Sequence, residues 1–198
     1  MNHFFQKIQK YSLLLVIFVS FKHVNAADIS INDNETKSTS ADLNDNNSVE
    51  FTGTSTGSPQ GQLTVDFDRI LANITATNTG GVGNVNFTTA NTLTVTGSIG
   101  SNSNVINQIV FDANGILNSA GDIYLQNGII TNTDNTGILT LNGGALQTIA
   151  AAIGTSAADQ LSVLTIGSNG ATLTNNVYAN TLTANGVTTM GGGALILL

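Results

Sequence analysis

From Leu63 onward, short apolar runs alternate with Thr, Asn and Ser at every second position. LTVDF (63–67), VNF (85–87), LTV (93–95), IVF (109–111), IYL (123–125), ILTL (138–141), LSVLTI (161–166) and TLT (181–183) all carry this pattern. Period-two alternation predicts strands with one buried face, because successive side chains leave a pleated strand on opposite sides. Turn signals separate the runs: Thr79-Gly80-Gly81, Asn114-Gly115, Asn127-Gly128, Asn142-Gly143-Gly144, Asn169-Gly170 and Asn185-Gly186. Asn-Gly reaches positive φ at little cost, which suits tight corners. Short strands with a turn every ten or so residues predict an all-β fold.

The pattern also recurs as a 54-residue repeat. Residues 77–100, TNTGGVGNVNFTTANTLTVTGSIG, lie without gaps over 131–154, TNTDNTGILTLNGGALQTIAAAIG. Seven positions are identical: Thr77/Thr131, Asn78/Asn132, Thr79/Thr133, Gly83/Gly137, Thr94/Thr148, Ile99/Ile153 and Gly100/Gly154. Apolar positions correspond as well (Val85/Leu139, Phe87/Leu141, Val95/Ile149), and Ile123-Tyr124 falls on Val177-Tyr178. Such repetition predicts stacked units, none of which can bury its apolar face alone. The alanine-rich stretch 145–161 favours helix by intrinsic propensity. Its first half aligns with TLTVTGSIG, so the repeat predicts strand there, with a bulge where Leu93 falls opposite Gln147.

Charge separates the stacked architectures. Residues 70–198 contain Asp112, Asp122, Asp134 and Asp159 and no basic residue. Stacked coils set like residue above like at about 4.8 Å, where neutral Asn and Thr ladders bond to one another and like charges repel. The chain is therefore predicted to form a single-domain, parallel, right-handed β-helix (β-solenoid) over 63–198, with roughly 20 residues per coil and about six or seven coils. Residues 27–62 differ: they hold six of the twelve acidic residues, the only proline (Pro59) and few large apolar side chains. That composition predicts a flexible acidic leader, with a short strand at Ser48–Phe51 capping the first coil.

Residues 1–26 carry a targeting pattern. Lys7 and Lys10 precede an apolar run from Ser12 to Phe21, and Val24-Asn25-Ala26 offers small residues for cleavage after Ala26. This predicts a signal peptide and an exported mature chain. The apolar run falls short of the ~20 residues needed for a spanning helix, so no transmembrane anchor is expected. Cleavage removes His3, His23 and three basic residues, leaving Lys37 and Arg69 against all twelve carboxylates, a net charge near −10. An acidic surface disfavours nucleic acid and anionic lipid. The absence of Cys rules out a disulfide framework.

Candidate chemistry is sparse. Asp66 and Asp68 alternate along LTVDFDRI beside Arg69, and two carboxylates on one face could serve a glycosidase as acid and base. The same spacing turns Leu63, Val65 and Phe67 inward and leaves both aspartates solvated. Without Cys, and without His once the peptide is cleaved, a nucleophile–base dyad lacks its usual partners. In DLNDNN (42–47), Asp42, Asn44 and Asn46 alternate as in a calcium loop, but the required Gly and terminal Glu are missing. Gly80-Gly81-Val82-Gly83 and Gly191-Gly192-Gly193 open no helix. The expectation is no enzyme activity, with no catalytic, cofactor or metal residues.

The segments VNFTTANTLTVTGSIGSNSNVINQIVFDANGIL (85–117) and IGTSAADQLSVLTIGSNGATLTNNVYANTL (153–182) resemble the passenger repeats of rickettsial surface cell antigen (outer membrane protein A/B-like) autotransporters. Those repeats run from a TVTG-IG turn into an apolar strand, an NG corner and a further Leu/Thr strand. The resemblance spans about 70–190. It implies a surface-displayed β-helical passenger with a structural or adhesive role in host-cell entry, contacting a host-cell protein or glycan. The family's C-terminal membrane barrel has no counterpart in GGGALILL (191–198). That departure implies a passenger fragment at the surface, secreted or in the periplasm, able to self-associate through an open solenoid end. Two alternatives stand beside it: a degenerate carbohydrate-active β-helix and the remnant of a split gene.

Overall fold

The computed structural model describes residues 28–57 and 59–197. The expected signal peptide lies outside the described residues. Among them the chain forms nineteen strands and no helix, and every pairing between strands is parallel. The backbone winds as a β-solenoid with three faces, each strand bonding to its counterparts one turn before and one turn after.

The faces can be followed by their inward columns. On the first, Ile29, Val49, Ile74, Ile99, Ile123, Ile149, Leu173 and Met190 stand in register. On the second, the column runs Lys37, Leu63, Val85, Ile109, Ile129, Ile153, Val177 and Leu195. On the third it runs Arg69, Leu93, Leu117, Leu139, Leu164 and Leu182. Interior members such as Leu63, Ile109, Leu117 and Ile153 are fully buried, each contributing on the order of 1.5–3 kcal/mol of apolar burial. Phe87 stacks on Phe111 inside the second face, with ring centroids 4.6 Å apart and planes at 24°.

Middle turns are longer than expected. On the first face Ile74 pairs with Ile99, Ile99 with Ile123, Ile123 with Ile149 and Ile149 with Leu173. Each step takes roughly 25 residues, still within the range of solenoid repeats. The 54-residue repeat is therefore not a whole number of turns. It advances the chain by two turns and one face. Val85 lies on the second face and Leu139 on the third; Val95 lies on the third and Ile149 on the first; Ile99 lies on the first and Ile153 on the second.

Three expectations need correction. The flexible leader expected over 27–62 is instead folded where it is described: strands Ile29–Ile31, Thr36–Ser38 and Val49–Phe51 build the first turn and open the second. Ile31, Leu43, Val49 and Phe51 are buried there, because each turn needs only a few inward residues when its neighbour completes the core. The strand expected over 63–67 is Gln62–Val65, after which the chain turns a corner and leaves Phe67 half-exposed. Finally, Gln147 makes no bulge. It sits inside strand Gln147–Ala150, 3 % exposed and in register with Ala171.

Gln147 is accommodated because its amide serves the corner below. Its Nε2 donates to the carbonyls of Ser119 (3.1 Å) and Gly121 (2.8 Å), and its Oε1 accepts from Gly143 N–H at 2.8 Å. A buried polar side chain with all its bonds made replaces an aliphatic one without an unmet group. The helix propensity of this alanine-rich stretch is overridden by the ladder: Gln147–Ala150 pairs in parallel on both sides.

Candidate functional site

The outer faces follow the neutral ladders anticipated from composition. Asn107 donates its side-chain amide to Asn84 and accepts from Asn127, both at 2.7 Å, so three amides climb the second face. On the third face Thr140, Thr165 and Thr183 stand in register. The amide rungs satisfy one another, and neither ladder adds charge to the surface.

The carboxylates work at the corners. Asp45 accepts from Ile70 N–H at 3.0 Å, Asp68 from Thr92 N–H at 2.7 Å, Asp122 from Thr148 N–H at 2.7 Å and Asp134 from Gln160 N–H at 3.3 Å. Asn73 and Asn176 do the same for Ser98 and Ala194. Each acceptor reaches the backbone of the following turn, supplying a partner where the strand ladder breaks at a corner.

Asp66 and Asp68 therefore do not converge as an acid–base pair. Asp68 reaches forward to Thr92, whereas Asp66 reaches back to the preceding turn. Asp66 accepts from Ser40 N–H (2.9 Å), Ser40 Oγ (2.7 Å) and Thr39 Oγ1 (3.1 Å). Burial pushes its carboxyl up, but the bonds from Ser40 and Thr39 outweigh that and hold it below the ordinary carboxylate range. The DLNDNN stretch is likewise folded on itself: Asp42 accepts from Ser38 N–H at 2.8 Å, and Asn47 Oδ1 accepts from Asn44 N–H at 2.6 Å. Among the described residues no three His, Cys, Asp or Glu side chains gather where they could hold a metal ion.

Both basic residues of the described chain head interior columns. Lys37 stands in register with Leu63 at the first turn and pairs with Glu35 at 2.8 Å. Asn32 N–H donates to Glu35 at 3.0 Å; this bond, then Lys37, lowers the Glu35 carboxyl, while Glu35 raises Lys37. Arg69 stands in register with Leu93, donates Nε–H to Leu43 O at 3.0 Å, and lies 4.6 Å from the centre of the Phe67 ring. Lys37 stands on an edge strand, whereas the strand of Arg69 is bonded by segment 43–47 of the preceding turn, so the two cations form no row.

One surface concavity accompanies that corner. Asp45, Asp68, Arg69, Ile70, Thr92 and Thr94 line an open groove of about 380 Å³ on the third face. Ile70 and the adjacent Phe67 are 43 % and 51 % exposed, the large apolar groups nearest it. The period-two pattern hides this groove by carrying the strand through Phe67. The available signal is Asp66-Phe67-Asp68, where two corner-type residues interrupt the run. No protein-family model, curated protein or solved structure matches the chain.

Proposed function

We propose that this chain is an exported, surface-displayed β-solenoid with a structural and adhesive role toward host cells, as its resemblance to rickettsial autotransporter passengers implies. The observation that carries the reading is the division of labour among its polar groups. Carboxylates at the corners are bonded to backbone amides of neighbouring turns, and uncharged side chains, among them Asn84, Asn107 and Asn127, line the outer surface of the later turns. A body built this way is an acidic rod whose partners meet repeated uncharged Asn and Thr side chains along its later turns. The groove beside Phe67 and Ile70 gives it one spot where apolar and charged groups meet, the mixture from which binding hot spots are made.

Binding of the purified chain to cultured host cells tests this reading. Saturable binding that falls about tenfold on Phe67→Ala with Ile70→Ser supports it. Absence of binding contradicts it, and so does glycan turnover that disappears on Asp66→Asn or Asp68→Asn.

A further inference from the structure

The third face differs from the other two in its outer surface. Its sheet is the longest, and strands Thr92–Val95, Ile116–Ser119, Thr136–Leu141, Leu161–Ile166 and Val177–Ala184 lie on successive turns within it. Leu93, Leu117, Leu139, Leu164 and Leu182 turn inward there, so each strand presents a residue outward on either side of its leucine. One outward column runs Thr92, Ile116, Ile138, Val163 and Thr181; the other runs Thr94, Asn118, Thr140, Thr165 and Thr183.

No member of either column is charged or aromatic. All but Asn118 are Thr, Ile or Val, which carry methyl groups on a branched Cβ and are stiff at χ1. Asn118 donates its amide to Thr94 Oγ1 at 3.4 Å, a bond along the column. The other faces break such columns: the first with Tyr124 on a strand of 2 residues, the second where Asn86 gives way to the buried Val110. Open sheets twist, but strands stacked in register with side-chain ladders stay nearly flat. The two columns of the third face therefore make a flat rectangular lattice, with about 4.8 Å between turns and about 6.6 Å between columns.

We propose that this face binds ice. Hexagonal ice repeats its oxygens on a prism plane at nearly the same two distances, so one water lattice can match both columns at once. The methyl groups confine the first water layer, and the Thr hydroxyls and the Asn118 amide anchor it by hydrogen bonds. Little ordering is needed on contact, because the strand ladder fixes the spacing and the branched side chains are already restricted. Charge and composition turn away other occupants. Protein hot spots draw on Trp, Tyr and Arg, and this face offers none. A second copy would bring another strongly acidic body, whereas ice, like the face itself, is uncharged. The inference uses neither Phe67 nor Ile70, so it does not depend on the adhesive role.

Nanolitre osmometry of the full chain tests the proposal. The chain should shape growing ice crystals and open a gap between their melting and freezing points. Thr140→Lys, at the centre of the face, sets an ammonium group against the ice and should shrink that gap at least about tenfold. Thr172→Lys, outward on the first face, should leave it unchanged. Thr140→Val keeps the branched shape and should retain most of the gap, whereas Thr140→Ser loses the methyl group and should forfeit most of it. Far-ultraviolet dichroism confirms that each variant is folded. Absence of both gap and crystal shaping in the folded full chain overturns the proposal, and so does an equal loss in the two lysine variants. A dimer in sedimentation equilibrium that Thr140→Lys dissociates would mean that a second copy covers the face, and would overturn it too.

Discussion

Ile99 and Ile153, identical residues one repeat apart, stand on different faces of the solenoid. Ile99 bridges Ile74 and Ile123 on the first face, and Ile153 bridges Ile129 and Val177 on the second. The repeat therefore keeps an inward position while changing the face that presents it. Corner and strand chemistry must be interchangeable among the three faces for such a duplication to fold.

The interchange is sharpest at Gly83 and Gly137, another repeat pair. Both have positive φ, 83° and 77°, and a Cβ on either would overlap a ring, Phe51 for Gly83 and Phe111 for Gly137. Gly83→Ala and Gly137→Ala should each destabilise the fold by about 2–4 kcal/mol, combining backbone strain with overpacking. Gly144→Ala, at a corner with nothing within 4 Å of the added methyl, should cost less than about 0.5 kcal/mol. Urea midpoints for the three variants check this.

The stacked pair inside the second face gives a second expectation. Phe111→Ala removes the ring packed on Phe87 in a fully buried site. It should cost about 3–5 kcal/mol. Phe67→Ala, on an exposed corner ring, should cost about 1 kcal/mol or less. Equal losses at the two positions, measured by the same urea titration, would contradict the inward and outward assignments.

Gln147 tests whether a buried amide serves the corner. Gln147→Leu keeps the volume but strands Gly143 N–H and takes one of two donors from each of the Ser119 and Gly121 carbonyls, which keep Asn142 N–H and Ser119 Oγ–H. A loss of about 2–3 kcal/mol in unfolding free energy is expected. A neutral or stabilising result would mean that these groups find other partners.

Asp66 makes stability depend on acid. Its folded carboxyl lies below the ordinary value, so its contribution is fully present above the ordinary carboxylate range. The contribution is lost as pH falls through that range toward the lowered value. Asp66→Asn should cost about 1 kcal/mol at neutral pH, since the site is partly exposed. It should also flatten the decline of melting temperature on acidification, as melting curves between about pH 7 and about pH 3 would reveal.

Much of this architecture is legible in the chain. Alternating runs such as LSVLTI mark strands, and the near-absence of charge after Arg69 marks ladders of like residues. Turn length is not legible, because the repeat spans two turns and one face and so cannot be divided into coils by inspection. The first turn is hidden for another reason. Its Asp and Glu side chains read as a solvated leader, whereas Asp33, Asp42 and Asp45 accept backbone bonds and Lys37–Glu35 covers the core. The candidate groove is hidden by a period-two reading that turns Phe67 inward, where the chain instead turns a corner.

Spin labels on the outer column of the third face test the stacking most directly. Ile70, Thr94, Asn118, Thr140, Thr165 and Thr183 stand in register on successive turns. Cysteine pairs at 94/183 and 70/183 should give narrow backbone separations of about 19 Å and about 24 Å, four and five steps of the strand spacing. Broad distributions, or separations that do not grow by one step between the two pairs, would contradict the parallel three-faced stack.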